Sequence, residues 1–321
     1  MKTVLVILLI MASYAWCELE RELAHIQVHE WGVLTLGSTN PVLSSVPGMP
    51  SPADAPDSLG SGSGAGVLRA PVLYFHGPAF SGTVTVKTDN GSIFDIYPAV
   101  LDADRDHNHC TWRVDFSYGE IQRVNFSYGE IQKFPDYHGM VSGVWNYNLW
   151  RDVYALSISN DSDWNDKFLY YETAPESIDF LPYCPADDSL SEEYMDVEAI
   201  VIQRRNEGIF LARYTLGDVV YGSDMQYTEL DTDDAIEDVL FDWSTGILEA
   251  DEVEALWNTW ETWMFREYIY EQGYDSGLLM YLIPDELTEK LSVISVSPEE
   301  VNYPVDISRY LIAAMPFHGG H

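Results

Sequence analysis

The sequence is poor in positive charge, in cysteine and in long apolar runs. Sixteen Lys and Arg stand against 52 Asp and Glu, a net charge of −36 on 321 residues. A field of that sign repels phosphate backbones and anionic lipid, which argues against nucleic-acid binding and favours divalent cations as partners. No apolar run approaches the roughly 20 residues that a transmembrane helix needs. There is no Gly-x-Ser-x-Gly elbow, no phosphate-cradling glycine loop and no dinucleotide fingerprint, which removes the commonest serine-hydrolase and nucleotide-binding readings. Of three cysteines, one is Cys17. Cys110 and Cys184 form a disulfide in an oxidising compartment or stay as two buried thiols.

What is present begins with an address. Lys2, the apolar run Val4 to Met11 and the small-residue stretch Ser13 to Cys17 read as a secretory leader over residues 1–17, so the mature chain is expected to be secreted or periplasmic. A lipid anchor on Cys17 is the less favoured alternative, because Trp16 stands where such sites want a small residue.

The remaining chain divides by pattern into a β-rich part over 18–228 and an α+β part over 229–321, packed either separately or as one unit with it, and the Pro, Gly and Ser-dominated stretch 44–66 is expected to be a flexible loop. Strand patterns run through His25 to Leu36, Val67 to His76 and Thr83 to Lys87. Asp89-Asn90-Gly91 reads as the turn of a hairpin returning through Ile93 to Tyr97. Residues 113–122 are repeated at 123–132 with Asn125 in place of Asp115, a local duplication too short for a repeat architecture. Helical spacing appears at 232–240 and again from Asp251 to Gln272, where Leu256, Trp257, Trp260 and Met264 mark an apolar stripe. The fold class expected is α+β: an antiparallel β-sandwich-like N-terminal part with a smaller helix-containing C-terminal part.

Three constellations could carry chemistry. Asp102, Asp104, Asp106 and Asn108 alternate, a spacing that turns several oxygens toward one hard cation, and calcium is the natural candidate. The EF-hand pattern fails, because His107 and Arg113 occupy the positions of its turn glycine and its bidentate glutamate. His107, His109 and Cys110 offer a softer alternative in the same loop. Near the amino terminus His25, Gln27 and His29 share one strand face while Ile26, Val28 and Glu30 share the other. Paired with His76, His29 and Glu30 are candidates for a metal-dependent catalytic site. Trp145, Tyr147 and Trp150 could offer rings to a carbohydrate or another ligand, whereas Trp257 and Trp260 read as core.

The order His29-Glu30-Trp31-Gly32, Ala70-Pro71-Val72-Leu73-Tyr74-Phe75 and Lys167-Phe168-Leu169-Tyr170-Tyr171, followed by Thr259-Trp260 and Leu278 to Pro284, resembles an uncharacterised family of secreted bacterial proteins. The resemblance implies export and a shared fold; no reaction is attached to it. The function expected from the sequence is an exported, acidic binding or cell-envelope protein, calcium-stabilised, with a secreted metal-dependent hydrolase using His29, Glu30 and His76 as the alternative.

Overall fold

A computed structural model describes residues 25–36, 66–98, 108–119, 147–160, 164–184, 189–205, 207–220, 226–261, 276–299 and 302–318. Sixteen strands are β1 (Ile26–Leu36), β2 (Gly66–His76), β3 (Phe80–Lys87), β4 (Ser92–Tyr97), β5 (His109–Ser117), β6 (Ser157–Ser159), β7 (Asn165–Asp166), β8 (Leu169–Ala174), β9 (Tyr183–Cys184), β10 (Ser189–Leu190), β11 (Glu198–Arg205), β12 (Gly208–Thr215), β13 (Thr228–Leu230), β14 (Ser276–Leu282), β15 (Val293–Pro298) and β16 (Val305–His318). The helices described are α1 (Tyr147–Arg151), α2 (Leu216–Val220), α3 (Asp234–Ser244), α4 (Ala250–Glu261) and α5 (Asp285–Thr288). The fold is α+β and dominated by antiparallel strands, as the sequence patterns predict. No helix among the described residues is long and apolar enough to cross a membrane.

A nine-stranded sheet runs β13-β12-β11-β14-β16-β1-β2-β8-β4, and a five-stranded sheet runs β15-β3-β5-β6-β7. The strand period of two gives each strand of the large sheet two faces with different partners. On one face Val28, Phe75, Ile96 and Tyr171 pack against Val84, Trp112, Val114 and Phe116 of the small sheet, forming the sandwich. On the other, Trp31, Val72, Tyr74, Ile200 and Tyr310 pack against Val239 and Leu240 of α3 and Val253, Leu256, Trp257 and Trp260 of α4. α3 and α4 therefore cover one face of the large sheet and the small sheet the other, where Leu216 of α2 and Leu287 of α5 also pack with Leu311 and Ala313.

One sequence expectation is corrected here. β3 and β4 do not form a hairpin: β3 pairs with β15 and β5, whereas β4 pairs with β8 in the other sheet. The turn between them is claimed by residues 174–177. Asn90 Nδ2 donates to Ser177 O at 2.8 Å, Glu176 N–H donates to Asn90 O, and Gly91 (φ +132°) lies so close that a Cβ would sit 2.1 Å from Ala174 O. Within this mostly antiparallel pairing, β16 runs parallel to β1 with Glu30 level with Arg309. The boundary at 228/229 does not separate two sheets: β14 and β16 lie between β11 and β1 in the same sheet.

Candidate metal centre

β1 and β2 run antiparallel with His29 opposite Tyr74 and Gln27 opposite His76. Alternation places His29 and Trp31 of β1, and Val72, Tyr74 and His76 of β2, on the helix-covered face. Across that face lies the first turn of α4. Glu252, Leu256 and Trp260 follow one another at four-residue spacing, so they share the helix side that meets the sheet, and all are buried. An acid on an apolar stripe needs partners, and Glu252 finds them on both strands.

His29 Nδ1 lies 2.8 Å from Glu252 Oε2 and His76 Nε2 lies 2.9 Å from Glu252 Oε1. The two imidazole centroids are 4.6 Å apart with the rings tilted by 44°. Glu252 Oε2 also accepts the Glu249 backbone N–H at 2.8 Å, the reach from the third helical position back to the N-cap that closes half of a capping box. An ionised carboxylate only accepts hydrogen bonds, so each imidazole carries a proton on the nitrogen facing Glu252. Burial raises the Glu252 pKa, but the hydrogen bonds from His29, His76 and the Glu249 amide outweigh it and hold the carboxyl below the ordinary range. The side chains are 8 % (His29), 14 % (His76) and 0 % (Glu252) exposed, so access runs along His76.

The three ligand atoms lie within 4.8 Å of one another. Two imidazoles and one carboxylate suit zinc and its first-row neighbours better than calcium, which takes more numerous oxygen ligands. An ion bonded at about 2.0–2.1 Å would take the place of the two protons that now lie between the imidazole nitrogens and Glu252, so binding would release protons.

The structure thus brings His29 and His76 together and leaves Glu30 out. Glu30 points through the sheet to the opposite face, where its carboxylate meets Arg309 Nε and the Tyr171 hydroxyl. The third donor is Glu252, which the sequence reading missed; the signal was an acid in step with Leu256 and Trp260. Of the calcium candidates, Asp102, Asp104 and Asp106 fall outside the described residues, as does His107. Asn108 accepts the Thr88 N–H through its backbone carbonyl. Trp145 is likewise outside the described residues, and Tyr147 opens α1. Trp150 is fully buried between Trp31, Phe168 and Tyr170 and offers no ring to solvent. No family model, curated protein or solved structure matches this chain.

Tyr74 lies under the centre, and its phenol is pushed well above the ordinary value by burial, then by the fields of Glu252, Asp251 and Asp166. Burial raises Tyr171 and Tyr310 likewise. A folded-state pKa above the unfolded one contributes stability that is complete below the unfolded value of about 10 and is lost as pH climbs toward the folded values. Ultraviolet titration should show a class of tyrosines that ionises only with unfolding. Reversible ionisation of every tyrosine near pH ~10 without loss of structure would refute this.

Proposed function

We propose that the chain is an exported, acid-surfaced binding protein that holds one divalent transition ion between His29, His76 and Glu252. The observation that carries the reading is the convergence of two imidazoles from adjacent strands and one buried carboxylate from a helix on a single point. Export is supported by the leader-like residues 1–17, and attraction of cations by the net charge of −36. Tyr154 N–H bonds the Asp251 carboxylate at 2.7 Å, which pins the loop after α1 to the start of α4 and fixes the height at which Glu252 enters the site.

Metal content of the purified protein, with thermal melting in EDTA and after metal return, tests the reading. The expected result is about one zinc-like ion per chain, with melting lowered by EDTA and restored by zinc. His29→Ala and Glu252→Gln should each weaken zinc binding by roughly a hundredfold or more. Absence of an ion together with indifference to EDTA would overturn it and make Glu252 the acceptor of a plain hydrogen-bonded triad. Restoration by calcium and not by zinc would also overturn it and return attention to Asp102, Asp104 and Asp106.

A metal-dependent hydrolase is the second reading. It is favoured by the donor count, since three protein ligands leave a fourth position open as catalytic zinc sites do, whereas structural sites close with four. Hydrolysis of chromogenic esters or glycosides by zinc-loaded but not by stripped protein would place it first.

A further inference from the structure

The most exposed large aromatic side chains among the described residues are Tyr154, at 84 %, and Tyr118, at 73 %. Both are tied to chain neighbours of the metal-centre ligands. The Tyr118 hydroxyl donates to the carbonyl of Gly77, the residue after His76, at 2.7 Å. The Tyr154 amide donates to the side chain of Asp251, the residue before Glu252, at 2.7 Å. The next carbonyl along from each tyrosine, Gly119 O and Ala155 O, accepts from the same Lys167 ammonium, at 3.4 and 2.7 Å. One cation thus holds the two loops together. Gly77 sits at φ +104° against the His25 carbonyl, where a Cβ would lie 2.3 Å from His25 O, so only glycine fits at the point that Tyr118 holds.

An exposed ring fixed at its hydroxyl end is an unusual object. Tyr118 has already lost the freedom that a free surface tyrosine would lose on binding, while most of its surface stays open to solvent. Two open rings beside a recessed centre suit a ligand with flat apolar faces and no charge. The field of a −36 chain disfavours polyanions, and the Lys167 ammonium at the rim disfavours a cationic segment. A pyranose presents a flat face of C–H groups to an aromatic ring and turns its hydroxyls to water.

We infer that Tyr118 and Tyr154 form a docking rim for an uncharged polysaccharide whose chain passes over His29, His76 and Glu252. The inference rests on the metal-centre reading for what lies beneath the ligand, but not for the binding itself. Affinity electrophoresis of the full chain, stripped in EDTA, in gels containing hydroxyethyl cellulose, xylan or galactomannan tests the rim apart from the metal. Retardation by at least one of these is expected, with Tyr118→Ala and Tyr154→Ala each weakening it roughly tenfold. Tyr154→Phe should bind as the parent does, because it keeps the ring and the backbone amide that bonds Asp251. No retardation in any gel, retardation unchanged in the double alanine variant, or binding of an oligolysine probe in place of the glycans would each overturn the inference. Loss of zinc binding with glycan retardation intact would overturn the metal centre alone.

Discussion

Arg309→Ala is expected to lower the free energy of unfolding by about 3–5 kcal/mol, because it leaves the Glu30 charge buried without its partner. Glu30 is fully buried and Arg309 nearly so, on adjacent parallel strands. Their hydrogen bonds form a closed ring. Arg309 Nε donates to Glu30 Oε2, Nη2 donates to Ser292 Oγ at 2.7 Å, and Nη1 donates to Ser292 O at 2.6 Å. The Tyr171 hydroxyl donates to Glu30 Oε1, so the Ser292 hydroxyl, 2.7 Å away, donates to Tyr171. Breaking such a ring costs more than removing it whole. The triple variant Glu30→Leu, Arg309→Met, Tyr171→Phe should therefore recover most of the loss, since apolar replacement of a buried pair is often neutral. Urea unfolding measures both. An Arg309→Ala midpoint within experimental error of the parent would show that the ring contributes nothing and that water reaches Glu30. The same variant bears on the site: a folded Arg309→Ala chain should bind zinc like the parent, because Glu30 faces away from His29.

How much of this was legible in the sequence follows from what fixes each feature. β1, β2 and β3 could be read because their residues follow a local strand pattern, and the alternation that separates His29 from Glu30 is such a local fact. Pairing partners were not legible. Asp89-Asn90-Gly91 carries every sign of a hairpin turn, yet residues 174–177 bind Asn90 and Gly91 and send β4 to the other sheet. The metal centre has the same character: His29, His76 and Glu252 lie on three elements, and the contact between residues 223 positions apart is made only when α4 crosses β1. Adjacency in sequence suggested Glu30 as the companion of His29; strand geometry forbids it. Of the duplicated segment only residues 113–119 are described, and the second copy lies outside the described residues. Residues 113–117 close β5, whose register is held by Cys110 and Trp112, buried residues that stand before the repeated unit.

Trp150 supplies the other large effect. The sequence offers it as an open ring beside Trp145 and Tyr147, in which case Trp150→Ala would weaken a ligand and leave stability alone. In the fold it is the bolt between α1, α4 and the large sheet. Its indole N–H donates to Thr259 Oγ1 at 2.8 Å, and its carbonyl accepts the Tyr74 hydroxyl at 3.1 Å. Its ring packs edge-on to Trp31 and Phe168 and stacks on Tyr170, with centroids 5.6, 5.1 and 5.7 Å away. Trp150→Ala should therefore cost about 3–5 kcal/mol through the void it opens. Trp150→Phe should cost less, because it keeps an aromatic ring there but leaves Thr259 without the indole donor. Because Thr259 lies on the helix that carries Glu252, both variants should also weaken zinc binding, in the order of their loss of stability. A Trp150→Ala chain as stable as the parent but impaired in glycan binding would restore the ligand-binding role. Equal zinc affinity in a destabilised variant would show that α4 holds Glu252 without help from the α1 contact.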